Sequence, residues 1–191
     1  MQQQNLSRTY RLLYIPIVLL FFLSFTDCAK KGNPSGGIRD SIAPVILRSI
    51  PENFTTRFED NEIRITFDEF IKLKDVSKEL IISPPLKYAP IITPLSVSKV
   101  LKIKILDTLR ENTTYSFNFG NSIVDNNEGN IFPNYKYVLS TGSFIDSLSL
   151  KGSVVDALLP ETKFPTTVVL YQVDKAYTDS LVLLEKPTYI T

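Results

Sequence analysis

The chain has no histidine and no tryptophan, and one cysteine and one methionine among 191 residues. The missing histidine removes the commonest proton shuttle near neutral pH. With it go a Ser-His-Asp or Cys-His nucleophile and any histidine-bearing zinc site. Carboxylates and lysines remain, so enzymes as a class are not excluded. The lone cysteine, Cys28, cannot form a disulfide within its own chain. An excess of one charge is lacking too. Taking away residues 1–27 removes Arg8, Arg11 and Asp27 and leaves 164 residues with 19 Lys or Arg against 19 Asp or Glu. That balance gives no electrostatic case for nucleic acid as a partner. The N-terminal apolar run, Leu12 to Phe25, is 14 residues long. As a helix it would reach about 21 Å, short of the roughly 30 Å hydrocarbon core of a bilayer.

What is present begins with the surroundings of Cys28. Arg8 and Arg11 precede the apolar run LLYIPIVLLFFLSF, and CAKKGNPSGG follows it. A positive start, a short apolar centre and a small residue after the cysteine resemble a bacterial lipoprotein signal. Asp27 stands where that pattern has a small residue. The resemblance implies a signal peptide over residues 1–27 and a mature chain that begins at Cys28. Its thiol would carry a glyceride, with palmitate or similar acyl chains. Several chains anchor a protein firmly where one gives only marginal binding. Lys30 and Lys31 add attraction to an anionic leaflet. An uncleaved short anchor and a chance free cysteine are the competing readings. Residues 28–43, with three glycines and a proline, read as a flexible tether.

The next hundred residues are strand-like. Ile63, Ile65 and Phe67 alternate with Arg64, Thr66 and Asp68, the two-residue period of a half-buried strand. Leu101, Ile103 and Ile105 alternate with Lys102 and Lys104. Tyr115, Phe117 and Phe119 do so with Ser116 and Asn118, and Tyr135, Tyr137 and Leu139 with Lys136 and Ser140. Shorter strands are expected at 45–50, 80–83 and 89–92, with one helical turn within 73–78. Pro51, Pro84-Pro85, Pro90, Pro94 and the DNNEGN turn at 125–130 punctuate them. Many short strands without intervening helices predict an all-β, two-sheet antiparallel sandwich over residues 44–142. A second, partial β-sandwich module is expected over 148–191. Its candidate strands are LSLKGSVVDALLP and TTVVLYQVD, followed by the apolar run Leu181 to Leu184. So small a unit leaves an edge open, which suggests a piece of a longer protein.

The stretch Cys28-Ala29, Gly32, Pro34, Gly36-Gly37 and Asp40 resembles the mature start of a family of Bacteroidota-type envelope lipoproteins. These carry an immunoglobulin-like (Big) domain of the type also found in S-layer proteins. The similarity continues through Ile65-Thr66-Phe67-Asp68-Glu69, Ile82-Ser83-Pro84-Pro85, Asn112 to Gly120, Asn121 to Asn130 and Ser140-Thr141-Gly142. It implies an immunoglobulin-like sandwich at the outer membrane, with no established activity. Gly152 to Ala157 and Val168 to Tyr171 resemble the small prealbumin-like or carboxypeptidase-regulatory-like modules that follow such domains.

Candidate chemistry is sparse. Asp68 and Glu69 are adjacent on a strand and point to opposite faces, so they do not form a glycosidase pair facing across one cleft. Asp125, Asn127 and Glu128 concentrate oxygen donors around Gly129, which suits calcium, with Asp68 as a further donor. The first reading of these residues is a tight turn, because Asn and Asp side chains cap local backbone amides. Ser41, Thr108, Ser147 and Ser180 each follow an Asp and precede an apolar residue. That pattern resembles the O-glycosylation acceptor of this group of bacteria. The nine tyrosines and twelve phenylalanines fall mostly on alternating strand faces, where core packing is expected.

The combined expectation is a non-enzymatic envelope lipoprotein with a structural or interaction role. It would sit at the outer membrane, on its periplasmic face, and meet an envelope protein or glycan. A glycan- or peptide-binding adhesion module, and the auxiliary part of a longer envelope enzyme, are the alternatives.

Overall fold

The computed structural model describes residues 37–155, 157, 166–173 and 177–191. The chain divides into two units, Met1–Arg39 and Asp40–Thr191, and the fold below is that of the second. The signal peptide, Cys28 and most of the tether lie outside the described residues.

Among the described residues, ten strands and two helical turns follow in order: β1 (Ile46–Ile50), β2 (Glu62–Leu73), α1 (Val76–Glu79), β3 (Ile81–Ser83), β4 (Ile91–Thr93), β5 (Ser98–Lys104), β6 (Thr114–Asn118), β7 (Ile123–Asp125), β8 (Lys136–Ser140), β9 (Val169–Leu170), α2 (Leu181–Leu184) and β10 (Tyr189–Ile190). One sheet runs β1-β2-β5-β4, with β7 also paired to β2, and a second runs β3-β6-β8. All these pairings are antiparallel. The result is an all-β sandwich, as the alternating segments predict.

β2 organises the first sheet. β5 lies along one edge, from Glu62 opposite Lys104 to Ile71 opposite Ser98. β1 pairs Arg64 to Phe67, and β7 pairs Ile71 to Leu73. A strand has only two edges, so β1 and β7 share the one opposite β5, end to end. The register to β5 shifts between Thr66 and Ile71, and this irregularity divides the two halves.

The core forms where the two sheets face each other. Ile63, Ile65, Phe67 and Ile71 of β2 and Leu101 and Ile103 of β5 are completely buried, as are Phe117 of β6 and Tyr137 and Leu139 of β8. Each such side chain contributes roughly 1.5–3 kcal/mol relative to exposure. Phe67 meets Phe132 edge-on at 5.9 Å, and Phe132 lies 5.5 Å from Tyr135, closing one end. Burial there pushes the Tyr135 hydroxyl up to about 12.

After β1 the chain crosses to the other sheet and runs parallel to β8 through the Thr55–Leu139 bridge. Phe54 N–H donates to Val138 O at 2.8 Å, and Ser140 N–H to Thr55 O at 2.9 Å. The Tyr137 hydroxyl fixes this crossing by donating toward Pro51 O (2.9 Å) and Glu52 O (3.2 Å).

Several expectations need correction. β2 continues to Leu73, because β7 supplies partners that its own sequence does not reveal, and the helical turn moves to Val76–Glu79. β7 itself had no expected strand. In the tail, residues 148–155 contain no strand, and residues 156 and 158–160 of that candidate lie outside the described residues. TTVVLYQVD yields only β9, which pairs with β10. Leu181 to Leu184 is a helical turn, opened by Leu181 N–H donating to Thr178 O (2.9 Å). Four apolar residues carry no periodicity that separates a turn of helix from a strand. The tail is hooked to the sandwich by Lys186 Nζ on Leu86 O (2.6 Å) and by Ile190 N–H on Ser83 Oγ (3.1 Å).

Two substitutions separate core from crossing. Phe117→Ala should cost about 3–5 kcal/mol of unfolding free energy in urea titration. Tyr137→Phe, which keeps the ring and removes the hydroxyl that donates to Pro51 O and Glu52 O, should cost about 1 kcal/mol.

Candidate functional site

The chemistry-bearing residues gather where β7 leaves the first sheet. Asp125 ends β7 opposite Ile71 and is completely buried. Its Oδ1 accepts from Glu128 N–H (2.7 Å) and Gly129 N–H (3.1 Å), and its Oδ2 from Asn130 N–H (2.6 Å). Gly129 takes φ 81°, a left-handed conformation that glycine adopts without a Cβ penalty. Burial alone would push the Asp125 carboxyl up. The backbone amides of Asn130, Gly129, Glu128 and Asn127 outweigh it and hold the group below its ordinary range. Asp125 is the anchor of a tight turn.

The turn also holds the beginning of the domain. Asn130 Nδ2 donates to Asp40 O (3.2 Å) and Ile42 O (3.0 Å). Asp68 closes the other end: its Oδ1 accepts Val45 N–H at 2.8 Å, and its own N–H donates to Val45 O at 3.0 Å. Residues Asp40 to Val45 are thus stitched along the edge of β2 before β1 starts. Neither Asn130 nor Asp68 was assigned this role from the sequence, where their partners are far away along the chain.

Glu69 is half-buried beside this seam. Burial raises its carboxyl first, and Asp125, Asp68, Asp40 and Glu128 raise it further. These carboxylates share a neighbourhood without converging. Among the described residues, no group of three or more Asp, Glu or Cys side chains is arranged to hold a metal ion. Of the weak calcium candidates, Asn127 is exposed and Glu128 half-buried, while the Asp125 oxygens receive backbone amides.

The four candidate acceptors for sugar are all exposed. Ser41 lies in the stitched segment, Ser147 follows the sandwich, and Ser180 precedes α2. Thr108 borders a shallow cleft of about 350 Å³ with Tyr88, Asp107 and Arg110. There Asp107 Oδ2 accepts Tyr88 N–H at 2.9 Å, so the aspartate of that tripeptide has a structural task. Cys28 lies outside the described residues.

The profile of the bacterial Ig-like domain matches residues 40–141, from the stitched aspartate to the end of β8. The chain belongs to the bacterial Ig-like domain family. Among curated proteins none matches it. The match identifies an Ig-like sandwich of the structural or interaction type. No helix among the described residues is long and apolar enough to cross a membrane.

Asp125→Ala should destabilise the Ig-like domain by about 1.5–3 kcal/mol, since three amides lose a charged acceptor. Millimolar calcium should leave the melting temperature of the parent unchanged. A calcium-dependent rise would instead make the turn a binding site.

Opposite pH signatures follow for the two carboxylates. The depressed Asp125 stabilises above its ordinary pKa of about 3.9, and that contribution fades as pH falls through its lower folded value. The raised Glu69 is best tolerated below its ordinary pKa of about 4.3, and this advantage is lost as pH rises through its higher folded value. Glu69→Gln should therefore raise the melting temperature at pH 7, with the gain shrinking toward pH 4.

Proposed function

We propose that this protein is a lipid-anchored envelope protein whose Ig-like domain acts as a spacer and interaction module near the membrane. The observation that carries the reading is the position of Cys28. It is the only cysteine, two residues separate it from the end of the apolar run at Phe25, and it lies twelve residues before Asp40. Those twelve residues reach roughly 20 Å on average as a flexible chain and about 40 Å when fully extended. A domain so tethered stays close to the leaflet that holds its lipid. The stitching of Asp40 to Val45 onto the edge of β2 supports the same picture, because it gives the tether a firm attachment where it meets the sandwich. The periplasmic face of the outer membrane is the proposed address, since Lys30 and Lys31 do not resemble the acidic run associated with surface export. The tail, hooked to β3, is read as the start of a second β module. Its exposed Leu183 and Leu184 suit burial against further chain.

Intact-mass analysis of the membrane-extracted protein tests the anchor. The expected mass is that of a chain starting at Cys28 plus a glyceride and acyl groups, with membrane retention lost in Cys28→Ala. An unlipidated product whose retention ignores that substitution would sink the anchor reading.

A further inference from the structure

The near-zero net charge conceals an uneven distribution over the first sheet. Its inward rows are apolar, so the alternate residues of β1, β2 and β5 face outward. In register, Arg64 of β2 stands directly opposite Lys102 of β5, with Ile50 and Thr93 completing the row. The next row places Glu62 opposite Lys104. On the other side, Arg48 of β1 stands opposite Thr66. Lys99 extends the patch, its ammonium 5.4 Å from the ring of the exposed Phe70. Arg48, Arg64, Lys99, Lys102 and Lys104 are all exposed.

Two carboxylates share this face, and both are engaged. Glu62 accepts from Arg64 Nε, and Asp68 accepts from Val45 N–H. Arg64, Lys102 and Lys104 hold the Glu62 carboxyl below its ordinary range, its hydrogen bond to Arg64 foremost. Like charges directly opposite on neighbouring strands destabilise a sheet. Glu62 offsets part of the Arg64–Lys102 repulsion, and Arg48, Lys102 and Lys104 leave the face net cationic, a surface that an anionic partner complements.

We infer that the outward face of the β1-β2-β5 sheet docks the Ig-like domain onto an anionic lipid leaflet. The occupant is argued from charge complementarity and from chain length. The tether leads through the stitched segment directly into β1, a strand of this sheet, and its twelve residues keep the face within reach of the headgroups. The exposed Phe70 beside the Lys99 ammonium suits the headgroup boundary, where long basic side chains place their stems on apolar surface and their charges on phosphates. The placement beside a leaflet rests on the proposed anchor at Cys28; the charged face itself does not.

The test uses the full chain carrying Cys28→Ala, so that no lipid is attached. Its partitioning is measured on vesicles of phosphatidylcholine alone and with about 30% phosphatidylglycerol, at low and high salt. The readout is the ratio of the two partition coefficients, in which apolar binding by the N-terminal run cancels. One basic residue near an anionic surface raises partitioning about fivefold. Replacing Arg48, Arg64, Lys102 and Lys104 by Gln should lower the ratio at least tenfold and leave the fold intact by circular dichroism. Replacing Arg57, Lys74, Lys78 and Lys136 by Gln should change it far less. Equal losses in the two variants, or no loss in the first, would overturn the proposal. So would displacement from vesicles by soluble alginate at low concentration, which would identify an anionic polysaccharide as the better occupant. Failure of lipidation at Cys28 with the vesicle ratio intact would remove the anchor and keep the docking face.

Discussion

Hydrogen bonding along both edges of β2 is the constraint on which the remaining architecture depends. Twelve residues must satisfy β5 on one edge and two successive partners, β1 and β7, on the other. Because strand side chains alternate, this fixes Ile63, Ile65 and Phe67 inward against β6 and β8. It equally fixes Arg64 and Thr66 outward. A one-residue slip would exchange the two sets and bury the arginine. The irregularity between Thr66 and Ile71 then serves the junction: it lets the edge change owner from β1 to β7.

At that junction the fold depends on small polar contacts, because no strand covers the gap between β1 and β7. Asp68, Asn130 and the Asp125 turn fill it with side-chain hydrogen bonds to backbone. Such bonds are economical for the segment Asp40 to Val45, which leads into the sheet, since they satisfy backbone groups that lack a strand partner. They also concentrate carboxylates. Asp125 escapes the consequence through its amides, and Glu69 bears it. The acidic seam is thus explained by stitching, and a bound cation is not needed to account for it.

The sandwich was legible in the sequence because its long strands alternate cleanly and turn residues separate them. Ile63 to Phe67, Leu101 to Ile105 and Tyr115 to Phe119 each place their apolar rows where the core is found. β7 was not legible: Ile123, Val124 and Asp125 are all buried, so no alternation marks them, and the strand is defined by its pairing with β2 on one side and the Val124–Ile131 bridge on the other. The tail misled for the opposite reason. Apolar residues at Leu148, Leu150, Leu183 and Leu184 suggest strands, yet they remain largely exposed, since a strand needs a partner as well as a composition. Of the site, the turn at 125–130 could be read from its Asn, Asp and Gly. Its attachment to Asp40 and Ile42 could not, being a contact across some ninety positions.

The cationic face shows how pairing turns unremarkable residues into a surface property. Arg64 is an ordinary outward residue of one strand, and Lys102 and Lys104 are ordinary outward residues of another. Read singly, they say only that each strand has a solvated side. The antiparallel register brings them into adjacent rows, with Arg48 one row further along, toward the end of β2 where Asp68 receives Val45. Charge counted along the chain averages this away, because on this face only Glu62 and Asp68 stand among five basic side chains, and other carboxylates lie on the acidic seam and on turns. A spacer domain needs only solubility, for which mixed charges would serve better than a like-signed row. Lys102 and Lys104 beside the Arg64–Glu62 pair, with Arg48 on the next strand, suit the anionic docking surface proposed above.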